Sequence, residues 1–322
     1  MEIHHCHSSR KEYMNKQGAT NANITSPKPT EIFGLLAHET RMTAMQVLWE
    51  AGEPLGFSEI TTRGNIDDTS NFNYHLGELQ PQFIRQVSNG YTLTRTGQRV
   101  LTAVLAGRFV GHESFDEVVV DYDCPFCGED LTLNHSEEAL RVSCTGCPGI
   151  YRGRNGNERI TKIWLPPAGV RENPSATLDI GVQWTYARNW SFARGICPEC
   201  AGSVSTRVNV CRDHTTSNGL CDNCQGRYRI LAHHECNICH ENLSILPVVS
   251  LLTEPRIRKF YHRHGPDPLA FTFESMASLV PYEERITSYS PIEFVLEITR
   301  NNTTLEVTAD EHLDPIAITL RE

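Results

Sequence analysis

The chain has 322 residues, 39% hydrophobic and 8% aromatic, enough to bury a sizeable core and to form two or three domains. A net charge of −10 and a pI near 5.8 argue against a sequence-blind nucleic-acid binder, though not against a small DNA-reading module inside an acidic chain. No run of about 18 apolar residues is present, so no transmembrane helix is expected, and Met1–Lys16 lacks the apolar core of a secretory signal. A cytoplasmic chain follows, with no membrane partner, in which thiols stay reduced and paired cysteines read as metal ligands sooner than as disulfides. Only five of the 29 basic residues are lysine. Few lysines with excess carboxylates suggest a salt-adapted protein, in which screened phosphate contacts require less net positive charge.

Residues 1–29 are polar and end in Ser-Pro-Lys-Pro, the composition of a disordered tail. His4, His5, Cys6 and His7 could catch metal there, but a floppy tail explains them as well. Residues 30–110 change character. Ile32, Leu35, Leu36, Met42, Met45, Val47 and Leu48 fall at helical spacing, stopped by Gly52 and Pro54. A short helix follows with Phe57 and Ile60 inward, then a third helix capped by Thr69 or Ser70. In that helix Phe72, Leu76 and Leu79 face the core, which leaves Ser70, Asn71, Asn73, Tyr74 and His75 toward solvent. A hairpin around Ser88-Asn89-Gly90 and a closing helix complete the order of a winged helix-turn-helix. Asn reads adenine edges, and hydroxyls and a helix N-terminus hold phosphate. Arg85, Arg95 and Arg99 around the wing could clamp the DNA backbone.

The stretch from Leu35 to Ile60, followed by Asn71-Phe72-Asn73-Tyr74-His75-Leu76 and the wing, resembles the ArsR-type winged-helix transcriptional regulators, in the haloarchaeal form with a C-terminal zinc-ribbon region. The resemblance covers roughly residues 30–108 and implies DNA contacts by Asn73 and His75. Metal-sensing members use cysteines on the helices of this domain. No cysteine lies in this one, so metal sensing at that position is not carried over.

Residues 111–165 carry Cys124-x2-Cys127 and, sixteen residues later, Cys144-x2-Cys147. Four thiolates at this spacing close a tetrahedron around one metal ion about 2.3 Å away, which reads as a zinc ribbon with two strands joining the knuckles. A full set of protein ligands leaves no open position, so the site would be structural. A redox Cys-x-x-Cys pair is the rival reading, without the thioredoxin-like pattern to support it. Residues 166–194 read as a helical linker of about 18 residues, with Leu178 and Val182 inward and Trp184, Trp190 and Phe192 as core.

Residues 195–250 hold four more pairs: Cys197/Cys200, Cys211/His214, Cys221/Cys224 and Cys236/Cys239. Each strand-like stretch between pairs spans roughly 25–30 Å, so pairs at opposite ends of one strand cannot share a metal. If the two strands pair antiparallel, the sites nest: Cys211, His214, Cys221 and Cys224 inside, with Cys197, Cys200, Cys236 and Cys239 outside. An interleaved pairing resembling a RING finger competes, though the His214–Cys221 gap is long for it. His233, His234 and His240 are substitute ligands at most and read as surface residues. Residues 251–322 form a small α+β region: a helix with Ile257, Phe260 and Tyr261 inward, similar to a stretch behind the ribbon in the same regulators, and a hairpin turning at Asn301-Asn302.

No Gly-x-Ser-x-Gly, phosphate-binding glycine loop or His-Glu-x-x-His occurs, so no enzyme is expected. The expected fold class is α+β, an N-terminal winged helix followed by zinc-ribbon β modules and the C-terminal region. The expected function is sequence-specific transcriptional regulation as a homodimer on double-stranded DNA, with about three structural zinc ions. The alternatives are a zinc-scaffolded adaptor that binds protein partners through its zinc modules, and a thiol oxidoreductase.

Overall fold

The computed structural model describes residues 28–109, 114–136, 139–153, 158–216 and 219–321; the His4–His7 tail motif lies outside them. Two compact units are present, Met1–Ala103 and Val104–Glu322.

The first unit runs α1 (Pro29–Leu36), α2 (Glu39–Ala51), α3 (Phe57–Arg63), α4 (Thr69–Leu79), the antiparallel hairpin β1 (Ile84–Val87) and β2 (Gly90–Leu93), and α5 (Arg95–Leu105). The apolar run read as one opening helix is two, because His38 is extended (φ −147°, ψ 125°) as the N-cap of α2. The break has a local cause. Arg41 is buried and its Nη1 donates to the carbonyl of Leu35 at 3.0 Å, satisfying an oxygen that a helix end leaves without a partner. The cap of α4 is Asp68, not Thr69 or Ser70: its carboxylate accepts from the Asn71 N–H at 3.1 Å and from the Ser70 hydroxyl at 2.7 Å. Met45, Leu48, Ile60, Phe72, Leu76, Leu79, Phe83 and Ile84 form the core of this unit. The hairpin docks on it through Tyr91, which exchanges backbone hydrogen bonds of 3.1 and 2.8 Å with Leu55. Gly90 (φ 137°) permits the approach, since a Cβ there would run into the Leu55 carbonyl.

The second unit contains three larger antiparallel sheets. The first has the order β3-β4-β5-β8, from Phe115–Asp123, Asp130–Ser136, Ala139–Cys144 and Thr161–Trp164; a two-stranded ribbon, β6 (Tyr151–Arg152) with β7 (Glu158–Arg159), interrupts it in sequence. The strands expected between the first knuckles are β4 and β5, paired from Leu131–Cys144 to Ser136–Ala139. Helix α6 (Pro174–Ala193) packs across this sheet at Gly181, where a Cβ would stand 2.7 Å from the Leu140 side chain. Leu178, Val182 and Phe192 are buried as expected, but Trp184 is exposed and lies under Arg108 instead of in the core.

The second sheet has the order β11-β10-β9: β9 (Val204–Val210) pairs antiparallel with β10 (Ile230–Cys236), and β11 (Asn242–Ile245), absent from the sequence reading, adds an edge. Helices α7 (Pro247–Leu251), α8 (Pro255–His264) and α9 (Phe273–Ala277) follow. A four-stranded meander, β12 (Glu283–Tyr289), β13 (Ile292–Arg300), β14 (Thr303–Asp310) and β15 (Pro315–Arg321), completes the unit. The expected hairpin is its centre: Leu296 opposes Val307 and Ile298 opposes Leu305. One apolar cluster joins the first sheet, α6, β9–β10, the helices and the meander, through residues such as Leu133, Val182, Ile230, Phe260 and Leu296. No helix among the described residues is long and apolar enough to cross a membrane.

Candidate metal centres and candidate nucleic-acid interface

Three groups of four ligand atoms each gather within 4.8 Å: Cys124, Cys127, Cys144 and Cys147; Cys197, Cys200, Cys236 and Cys239; Cys211, His214, Cys221 and Cys224. The antiparallel register of β9 and β10 makes the last two groups nest. Val204 opposes Cys236 at one end, so the pairs just outside both strands meet there; Val210 opposes Ile230 at the other, where Cys211 follows β9. The interleaved pairing of a RING finger is not what this register brings together.

The geometry fits a tetrahedral ion. Ligands about 2.3 Å from one centre stand roughly 3.8 Å apart. The sulfurs of Cys124 and Cys147 lie 3.6 Å apart, Cys127 and Cys144 3.3 Å, Cys197 and Cys239 3.6 Å, and Cys200 and Cys236 3.4 Å. None of these cysteines is disulfide-bonded. In the third group His214 Nδ1 lies 3.4 Å from Cys224 Sγ, while Nε2 lies 3.1 Å from the Arg227 carbonyl. A carbonyl only accepts, so Nε2 carries the proton and the bare lone pair of Nδ1 faces the thiols, the tautomer a metal ligand needs.

Four of the Cys-x-x-Cys turns share one backbone pattern. In each, the first cysteine's N–H donates to the carbonyl five residues on: Cys124 to Glu129, Cys197 to Gly202, Cys221 to Gly226, Cys236 to Glu241, at 2.8–2.9 Å. The N–H four residues on returns to the first cysteine's carbonyl, and that fourth residue is left-handed: Gly128 (φ 78°), Ala201 (60°), Gln225 (59°), His240 (61°). The turn aims further N–H groups at sulfur, such as Gly202 to Cys200 at 3.4 Å and Ile238 to Cys236 at 3.4 Å, which favours thiolate. The Cys221 thiol is lowered to about 7, chiefly by the Cys224 N–H, while burial and then the neighbouring Cys221 and Cys211 push Cys224 up to about 12. Crowded sulfurs without a cation cannot all ionise; a divalent ion among them reverses that. The arrangement can hold three metal ions such as zinc, each in a closed four-ligand site.

The other histidines separate clearly. His234, read as a surface residue or spare ligand, is neither: it is buried, with Nδ1 2.8 Å from the Thr206 hydroxyl and Nε2 2.9 Å from the Ser250 hydroxyl. Burial lowers it to about 4, so it is a neutral core residue. His240 is exposed, beside Glu235.

In the first unit Ser70, Asn71, Asn73 and Tyr74 are exposed on α4, Arg85 on β1, and Arg95 and Arg99 on α5. His75 departs from the expectation. It is 5% exposed, accepts from Arg41 Nε at Nδ1 (3.3 Å) and meets the His38 ring at a tilt, with centroids 4.0 Å apart, so it belongs to the buried Arg41 network. Burial, then the charges of His38 and Arg41, lowers its pKa. The Ser70 hydroxyl is held by Asp68, whose carboxyl is depressed by that bond, so the N-terminus of α4 already carries a negative charge.

Residues 121–314 match a family model described as a domain of unknown function, DUF7351, and residues 29–104 match another, DUF7347, described in the same way. No curated protein and no solved structure matches the chain. The boundary between the two matches falls where the structure divides, and the first match spans all three metal-ligand groups and more than half of the sequence. The chain belongs to the DUF7351 family.

Proposed function

We propose that the chain is a sequence-specific DNA-binding transcriptional regulator whose C-terminal unit is scaffolded by three structural zinc ions. The observation that carries the reading is the division of α4: Phe72, Leu76 and Leu79 go to the core, and Asn71, Asn73 and Tyr74 go to solvent. The order of helices, hairpin and closing helix supports a winged-helix reading, with α4 entering the major groove. Asn71 and Asn73 are of the type that reads adenine, and exposed Arg85, Arg95 and Arg99 supply phosphate contacts. Asp67 and Asp68 repel phosphate from the start of α4, so backbone affinity rests on these arginines. One winged helix reads a short half-site, so the active form in this reading is a homodimer on a two-fold site.

Zinc is favoured over other metals by the ligand sets, four thiolates twice and three thiolates with an imidazole once. The closed sites give zinc a structural part and no water-activating position. Selection of sequences from a random duplex pool by the zinc-loaded full chain tests the function. Enrichment of one short motif with two-fold symmetry is expected; retention of DNA without any enriched motif, or no retention, rejects it.

A further inference from the structure

Within the second unit lies a cavity of about 710 Å³, in the range of sites that enclose a small organic molecule. Its walls come from separate parts of the unit: Thr161 from the first sheet, Leu231 and Leu246 around the two-site module, Met276 and Val280 around α9. Apolar side chains dominate, and the polar exceptions are specific. Tyr186 and Asn189 stand one turn apart on α6, 3% and 8% exposed, and both line the cavity. Among the described residues the Tyr186 hydroxyl is buried without a hydrogen-bond partner, and the Asn189 side chain lines the same space beside it. A buried hydroxyl left in this way costs stability, so its retention beside an apolar cavity points to a ligand that satisfies it.

The charge of the lining has one sign. Arg152, Lys162 and Arg229 line it, and no Asp or Glu does among the described residues. Arg152 is engaged by Glu158 at 2.7 Å, and Lys162 sits over the Trp164 ring. Arg229 donates from Nη2 to the Arg212 carbonyl, but its Nε is buried without a partner. Its neighbour Glu284 accepts from the Arg229 backbone N–H and stays outside the lining.

We propose that this cavity binds an amphipathic small molecule with an apolar body and one anionic headgroup, of the class of a medium-chain carboxylate. Arg229 and Asn189 supply the headgroup donors and the Tyr186 hydroxyl completes the set. Cys211 and Cys224 line the same chamber, so the occupant would rest against the inner metal site. The proposal stands on the cavity and does not require DNA binding.

Isothermal titration of the metal-loaded full chain with decanoate, and with 1-decanol as the uncharged control, tests it below the micellar range. Saturable binding of one decanoate per chain is expected, with decanol weaker by roughly tenfold or more. Met276→Trp, which fills the cavity, should abolish the decanoate signal, and Arg229→Gln should bring decanoate down toward decanol. Metal content and circular dichroism check that each variant folds. If Met276→Trp loses its metal, Leu231→Trp at a 40% exposed position narrows the same space. Non-saturable uptake, unchanged binding in a folded cavity-filling variant, or equal binding of decanol would each overturn the proposal.

Discussion

Asn73 is exposed on α4 and makes no side-chain hydrogen bond among the described residues, which suits a residue that contacts an outside partner. Asn73→Ala is expected to weaken binding to the selected site by about 1–3 kcal/mol while leaving thermal stability unchanged. Equal affinity of mutant and parent, measured by fluorescence anisotropy, would remove Asn73 from the interface. Glu284 poses a different residue-scale question. Burial raises its carboxyl to about 7 from an ordinary 4.5, and its Oε2 is buried without a partner. Between pH 4.5 and about 7 the folded chain therefore holds more proton than the unfolded chain, so stability falls as pH rises through that window. Glu284→Gln removes the buried charge. It should stabilise the second unit at pH 8, by on the order of 2–3 kcal/mol, and change little at pH 5. Denaturant titrations at the two pH values check this, and an equal effect at both would contradict it. Neither the inward turn of His75 nor the burial of His234 is legible from periodicity, because each depends on partners far away in sequence: Arg41 for His75, Thr206 and Ser250 for His234.

At the scale of elements, the metal-ligand turns recur with one geometry and four different residues at the left-handed position. A Cβ there costs about 1–2 kcal/mol, which Ala201, Gln225 and His240 carry and Gly128 avoids. Gly128→Val is therefore expected to lower the midpoint of thermal unfolding, and Ala201→Gly to leave it within a degree or two. A large loss in Ala201→Gly would show that its methyl matters to packing. The nested pairing makes a sharper prediction. A Cys197→Ser, Cys200→Ser double variant should lose one metal per chain and keep Cys211, His214, Cys221 and Cys224 occupied, by mass spectrometry under native conditions. Loss of the inner ion in place of the outer one would contradict the register. Strand length excludes a shared ion for the two pairs at the ends of one strand, but the choice between nested and interleaved pairing rests on the antiparallel register of β9 and β10, which the sequence left open. Strand β11 and the outer strands of the meander were not readable: Asn242–Ile245 alternates polar and apolar but over only four residues, too short a run to mark a strand, and its pairing is fixed only by β10. The break at His38 also escaped the pattern, since Leu36 and Met42 continue an apolar spacing across it while a buried arginine closes the turn.

The whole molecule joins two units with different sources of stability. The first rests on an apolar core of its own, around Phe72 and Phe83, and no cysteine lies in its residues 28–103. In the second, small sheets share one core and three four-ligand groups lie at their ends, where turns have little apolar surface to bury. A chelator should thus unfold the second unit and spare the first, giving two separate transitions where the metal-loaded chain keeps both units folded. The paired ribbon strands, the helix over 174–193, the two strands of the nested module, the helix around Phe260 and the central hairpin of the meander were visible piece by piece in sequence. Their merger around one core was not, because it is set by long-range packing such as Gly181 against Leu140. The measurement that bears most directly on the account is genome-wide DNA occupancy of the tagged full chain, with the zinc content of the same protein determined alongside. The account predicts discrete peaks sharing one short two-fold motif, lost in Asn73→Ala, with three zinc ions per chain. Three zinc ions per chain and no peaks above background would contradict it.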